Sequence, residues 1–405
     1  MEIFYILFNS YETIMKLEEL YVMRKKYIAL AGALTLMVFA VSACAPAGSK
    51  SNKKGLEAYQ NGDYQNAVYL FKQAITQEPS EEAYYCNLGQ AYCAQGYYEE
   101  AIESFTQAIQ LGSSLFYSYR GMGLAYSGLE EYDKAIESFN QAIEAAGSLD
   151  SSCRLDVVGY RAEAKTANGD YTGALEDYNQ LIEAEYHLRD IYQLTGNVYL
   201  LMDDVDQALH CYQECLNLDN RNYEGYLTMA EALKKAEADE ARQVVLNAAL
   251  EVTPYEAEDW CYRGRIYLEL DQIDEAFSAF EESYNKGYSQ AGYYLGYCYE
   301  LQGNSDEAIN LYQEQLKSNP NDAELYNQLS SCMVRQGEYQ DALIMIEKGK
   351  QLASESQMAD FLWNECVCYE KMGDYDTAIE KLMSYLEQYP ADKDAKKELA
   401  FLYSR

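Results

Sequence analysis

Polar and apolar residues alternate along this chain with a helical period, in blocks of about a dozen residues separated by glycine or short polar turns. From Tyr84 to Gln110 it reads YYCNLGQAYCAQGYYEEAIESFTQAIQ, two amphipathic helical patterns joined at Gly96, a residue suited to the left-handed conformation that ends a helix. The unit recurs. A small residue marks each copy at Gly55, Gly89, Gly123, Ala162, Gly196, Ala230, Gly264, Gly296, Ser330 and Cys366. Alanines of the second helix keep step at Ala67, Ala101, Ala135, Ala174, Ala208, Ala276, Ala308, Ala342 and Ala378. This register predicts an all-α chain of ten helix-turn-helix repeats over residues 53–390, closed by a more polar capping helix over 391–405.

Two places disturb the register. Extra residues around Ala145–Ser152 fall between the third and fourth repeats, where a break in the stacking over 145–152 is expected. The sixth repeat reads Lys234-Lys-Ala-Glu-Ala-Asp239 without a turn glycine and carries Arg242 where alanine belongs, so its geometry is the least regular expected. Pro254 closes this repeat, and Pro79, Pro320 and Pro390 close others, as proline does where a helix must stop.

The N-terminus has a different pattern. Arg24-Lys-Lys is followed by an uncharged apolar run from Ile28 to Val41 and then by Ser42, Ala43 and Cys44. The run is short for a membrane span but fits a secretory signal. It resembles bacterial lipoprotein signal peptides. That resemblance implies a signal over 23–43, cleavage between Ala43 and Cys44, a diacylglyceryl group on the Cys44 thiol, and a lipidated tether over 44–52. Residues 1–22 precede Met23, the natural first residue of such a signal, and read either as a mis-assigned upstream start or as an extension of its basic region.

Composition narrows the function. With 31 basic against 66 acidic residues the formal net charge is -35, and no basic stripe interrupts it, so nucleic acid is not expected as a ligand. The two histidines, His187 and His210, belong to no spacing of a ligand set or a nucleophile-base pair. No phosphate-binding glycine loop or metalloprotease motif is present, and no cofactor or metal is expected. Most of the eleven cysteines fall at helical repeat positions, such as Cys298, Cys332 and Cys368, and read as small buried hydrophobes. Acids recur near the start of the first helices at Asp156, Asp190, Glu224, Glu258, Glu324 and Asp360, and in a first helical turn the dipole alone favours an acid.

Within the repeat, Tyr85, Leu88, Gly89 and Tyr92 followed by Ala101 and Phe105 resemble the tetratricopeptide signature. Gly89 and Ala101 are expected to let two helix backbones approach, with Leu88, Tyr92 and Phe105 filling the space around the crossing. The resemblance implies a right-handed superhelix, an α-solenoid whose first helices line a concave groove. It places Arg265, Tyr293, Tyr297, Arg335 and Trp363 on that groove, together with Gln90, Arg120 and Asn197. The lysine-asparagine clamp of chaperone-adaptor members is missing, since Arg120 is followed by Leu124 where asparagine would stand. The expected partner is a protein or peptide segment held in the groove of the seventh to tenth repeats. The expected function is a non-enzymatic interaction scaffold on the outer face of a bacterial membrane, serving envelope assembly or secretion. The alternative is an envelope enzyme, or its recognition arm, with a site that carries no motif.

Overall fold

The computed structural model describes residues 48–112, 115–147, 149 and 151–404. Over them the chain is all-α: 21 helices follow one another from Ser49–Gln60 to Lys393–Leu402, with no strand among the described residues. Ala43 and Cys44 lie outside the described residues, so the signal and its cleavage point do too. The tether expected over 44–52 is shorter than that. The first helix starts at Ser49, behind the left-handed Gly48, and Asn52 is already bonded to the next repeat.

Two compact units are formed, one from residues 48–219 with 231–241 and the other from 220–230 with 242–404. The division runs through the sixth repeat. Near 145–152, Phe139 stacks on Tyr160 with ring centroids 6.0 Å apart, and Ala146 is buried.

Each hairpin closes in the same way, and the reason is steric. A Cβ built on Gly89 would lie 2.8 Å from the ring of Phe105; on Gly264 it would lie 2.5 Å from Phe280 and on Gly296 2.4 Å from Tyr312. In every case the ring belongs to the residue sixteen positions later. The glycine therefore makes room for an aromatic ring from the second helix, and at Gly196 a Cβ would also come within 3.2 Å of the Ala208 backbone carbonyl, so ring packing accompanies the close approach expected of the glycine-alanine pair. Phe105 is fully buried between Gly89 and Gly121 of the following repeat, the latter 2.3 Å from the ring by the same construction.

Where the small residue grows, its partner shrinks: Ala230, Ser330 and Cys366 have Leu246, Ile346 and Leu382 sixteen positions later, all fully buried or nearly so. Ala162 keeps a tyrosine, Tyr178. In the three pairs where the partner shrinks, the volume is thus held nearly constant, as a close-packed interior requires, and the Ala162–Tyr178 pair is the exception.

Turns between the paired helices also share one geometry. Seven residues after the register mark the backbone is always left-handed: at Gly62, Gly96, Gly169, Gly303, Gly337 and Gly373, but also at Glu130, Asp203, Glu237 and Asp271. The sixth repeat therefore keeps the standard turn, with Glu237 at φ 55° doing what glycine does elsewhere. Arg242, which displaces the expected alanine, turns to Glu269 of the next first helix, donating to its backbone carbonyl at 2.7 Å and pairing with its carboxylate. Ala241 beside it is the buried residue.

The ring packing and the left-handed turns make three substitutions informative. Gly264→Ala should lower the urea midpoint by the equivalent of about 1–3 kcal/mol, and adding Phe280→Leu should recover part of it; a neutral Gly264→Ala would refute the steric account. Glu237→Gly should raise stability by about 0.5–1 kcal/mol, because a non-glycine left-handed residue costs more than glycine's extra chain entropy. Asp271→Gly should give less, since aspartate tolerates that region better.

Candidate binding face of the first helices

The first helices of each unit are joined by polar side chains in one recurring register. The residue three before the register mark in one repeat bonds the residue two before it in the next. In the N-terminal unit Asn87 Nδ2 donates to Asn52 Oδ1 at 2.9 Å, and Arg120 Nη2 donates to the Tyr160 hydroxyl at 3.3 Å. In the C-terminal unit Gln328 Nε2 donates to the Tyr293 hydroxyl at 2.8 Å, and Asn364 Nδ2 to Asn327 Oδ1 at 3.1 Å. Such partners are needed because these groups are half-buried or buried, and an unpaired one would cost about 1–3 kcal/mol.

This ladder involves several residues expected on the groove. Arg120 is 3% exposed and Gln90 7%, so neither offers much surface to a ligand. Asn197 accepts a hydrogen bond from Tyr212 of its own hairpin at 2.6 Å. Among the C-terminal candidates, Arg265 lies over the rings of Tyr262 and Tyr294, 5.4 and 5.8 Å from their centroids, and bridges the seventh and eighth repeats. Arg335 of the ninth repeat pairs with the buried carboxylate of Glu300 in the eighth, which also accepts from the Tyr312 hydroxyl at 2.7 Å. Burial pulls the Arg335 guanidinium down to about 10. Tyr297 is half-buried nearby; burial pushes its hydroxyl up to about 12, with Cys298 and Glu269 adding and Arg335 opposing.

Trp363 belongs to a different cluster. It meets Tyr385 of its own hairpin edge to face, centroids 5.9 Å apart, beside Cys366, Ala378 and Leu382. The structure thus groups Arg265, Tyr293, Tyr297 and Arg335 on the first helices of repeats seven to nine, with Trp363 one repeat further along, half-buried against the core of the last hairpin.

Between these lies a feature that residue types did not reveal. Glu324 Oε1 accepts from Gln328 Nε2 at 3.0 Å and from the Tyr293 hydroxyl at 3.4 Å, while its Oε2 accepts from Gln357 Nε2 at 3.3 Å. Burial raises the Glu324 carboxyl and Asp322 adds to this, against the pull of the three hydrogen bonds. Burial and the neighbouring Glu324 together push Asp360 up to about 7. Burial thus raises both first-turn acids, and the neighbouring Glu324 adds to the shift of Asp360. A recurring spacing of 35 to 37 residues between polar partners was the available signal, visible in Tyr293–Gln328 and Asn327–Asn364. Two other acids near the helix starts are occupied differently: Asp156, which the structure places beyond the first turn of a helix that begins at Ser151, accepts from the Tyr186 hydroxyl, and Glu258 accepts from that of Tyr288 at 3.2 Å, so they form no continuous charged ladder.

Both histidines are exposed and lie in the other unit, and the described residues contain no group of three or more His, Cys, Asp or Glu placed to hold a metal. All ten described cysteines are free.

Family models described as tetratricopeptide repeat match residues 80–148, 120–186, 190–222, 267–329, 301–362 and 367–392, and one described as TPR repeat matches 55–96. The general transcriptional corepressor ssn6 of Schizosaccharomyces pombe is 25% identical over 130 residues, which is 31% of this chain but only 12% of that protein. A tetratricopeptide repeat protein from Parabacteroides merdae aligns with TM-score 0.43 and 17% identity, covering 62% of this chain and 98% of its own. Yeast Tom70 aligns at 0.45 and 15%, covering 88% of each chain. PilW, a type IV pilus biogenesis factor, aligns at 0.42 and 20%, covering 53% of this chain and 99% of its own.

The raised carboxyl of Asp360 has a thermodynamic consequence with a definite sign. The folded state holds a proton that the unfolded state releases near pH 4, so this group's contribution is complete below that pH and is lost as pH rises through about 7. Thermal stability should therefore fall between pH 5 and 7.5. Asp360→Asn should flatten the slope by no more than about 1.4 kcal/mol per pH unit. Glu163, pushed up to about 7 by burial in the other unit, contributes with the same sign, so the double variant with Glu163→Gln should be flatter still. An unchanged slope in both variants would show that these carboxyls ionise normally.

Proposed function

Because the chain belongs to the tetratricopeptide-repeat family, we propose that it is a protein-binding scaffold held on the outer face of a bacterial membrane by lipid on Cys44. The observation that carries this is a conjunction in one chain. A lipobox ending at Cys44 stands directly before a run of repeat helices, and by Ser49 the chain is already in the first of them. At no more than about 3.6 Å per residue, the few residues between Cys44 and that helix keep the repeats within roughly 20 Å of the anchor. Two acyl chains, at about 0.8 kcal/mol per buried methylene, hold it there.

The surface we assign to the partner is the first-helix face of repeats seven to ten, with Arg265, Tyr293, Tyr297, Arg335 and Trp363. Aromatic and arginine side chains are the usual anchors of protein interfaces, and those here are already locked by neighbours, which lowers the ordering cost of binding. A protein segment fits this face better than a substrate does: its polar groups are satisfied by one another, and the raised acids lack a nucleophile or a base beside them. On this reading the protein is not an enzyme. Its role in envelope assembly or secretion follows from the location.

Protein isolated from the membrane fraction should begin at Cys44 and carry acyl groups by mass spectrometry, and Cys44→Ala should abolish both; an intact N-terminus without acyl groups would overturn the anchoring. Crosslinking on native membranes should capture a protein. Capture unaffected by Tyr293→Ala, Tyr297→Ala and Trp363→Ala in a folded chain would move the binding face elsewhere.

A further inference from the structure

A second register pairs the residue just before the mark with one sixteen positions later, next to the glycine-aromatic pair. In the fourth repeat Arg161 grips Asp177 through Nε at 2.9 Å and Nη2 at 2.6 Å. In the tenth the charges are exchanged, and Lys381 meets Glu365 at 2.8 Å. The seventh repeat has Arg263 at this place but Ala279 opposite it. Without an acid at the position opposite, Arg263 turns to the end of the preceding helix, where Nη1 donates to the carbonyls of Leu250 at 3.0 Å and Val252 at 3.2 Å. Its Nη2 donates to the Tyr267 hydroxyl at 3.3 Å. A small side chain on one side and a withdrawn guanidinium on the other leave a cavity of about 650 Å³ within the C-terminal unit.

The lining defines what would fill it. Trp260 forms one wall and has no ring or cation stacked on it among the described residues, and Tyr267 forms another. Glu251, Asp274 and Glu275 line it too, all exposed, with Asp274 accepting from Gln302 Nε2 at 3.0 Å. Three carboxylates face one guanidinium whose terminal nitrogens already donate to carbonyl and hydroxyl oxygens. The volume is that of a ligand site, and aromatic walls beside carboxylates favour an organic cation over an anion or a neutral group. We propose that this cavity receives an arginine or lysine side chain of the bound protein, as a second point of attachment away from the first-helix face. The proposal rests on the scaffold reading for the nature of its partner, and on the cavity alone for the chemistry.

Trp260 and Trp363 are the only tryptophans in the chain, so Trp363→Phe makes Trp260 the sole indole reporter. The lipid-free protein carrying that change would be titrated with an acetylated, amidated hexapeptide of alternating Ala and Arg, and with its Ala-Glu counterpart. A saturable change in Trp260 emission is expected with the arginine peptide and none with the glutamate peptide. Asp274→Asn with Glu275→Gln should weaken binding at least tenfold, while Glu99→Gln with Glu100→Gln, an equal charge change on exposed residues of the other unit, should alter it less than twofold; circular dichroism checks that each stays folded. Equal weakening by both pairs would reduce the effect to the overall charge, and a flat Trp260 signal or preference for the glutamate peptide would overturn the site. If free arginine amide bound as tightly as the peptide, the occupant would be a small cation and the protein-partner assignment would fall. Failure here with a protein still captured on native membranes would leave the scaffold reading standing; success here with no captured protein would do the reverse.

Discussion

The structure depends on a single close approach, that of an aromatic ring to a helix position with no room for a side chain. Phe71, Phe105, Phe139, Tyr212, Phe280 and Tyr312 each occupy the space that a Cβ would take on the glycine sixteen residues earlier. This one contact sets the crossing of the two helices in a hairpin, and the hairpin is the unit that stacks. It also explains how the small position can vary from repeat to repeat. Ser330 and Cys366 are accommodated because Ile346 and Leu382 are smaller than phenylalanine. Tyrosine in place of phenylalanine is accommodated when its hydroxyl finds a partner, as Tyr212 does on Asn197 and Tyr312 on Glu300.

Adjacent to that apolar pair, the same geometry brings together two further positions that can carry charge. Asp177 is 4% exposed yet paired with Arg161 and, at 2.9 Å, with Lys165; Glu365 is paired with Lys381 and Lys350. Burial works against the Glu365 carboxylate, but the two lysines bring it below its usual value. Repeats that differ in hydrophobic packing can thus close with an ion pair of either sign. When one member is missing, as opposite Arg263, the hairpin still closes but leaves space. The cavity is a consequence of repeat divergence, and its position follows from the register.

The polar ladder of first-helix residues has a different effect. It links consecutive repeats, using side chains that would otherwise be available to a ligand. Arg120, Tyr293 and Asn327 each support the next repeat. A partner on this face therefore meets a surface that is already ordered, and its contacts would fall on ring edges and on the exposed parts of residues whose polar ends are engaged.

Much of this was legible in the sequence. The register of Gly55, Gly89 and their equivalents determined the all-α class and the repeat boundaries, because the close approach tolerates only small residues there and helical periodicity leaves no other phase. The turn was legible where glycine marks it, but not at Glu237, where the sequence suggested irregularity and only the folded hairpin imposed the left-handed backbone. Residue types pointed to Tyr293, Tyr297, Arg265 and Arg335, which do lie on neighbouring first helices. They did not show that Trp363 packs against the last hairpin, or that Glu324 and Asp360 are both half-buried and raised, because burial depends on which side chains of adjacent repeats meet. The cavity beside Trp260 was also beyond the sequence. Its existence depends on where Arg263 finds carbonyl oxygens, and that is decided only when one repeat has been stacked against the next.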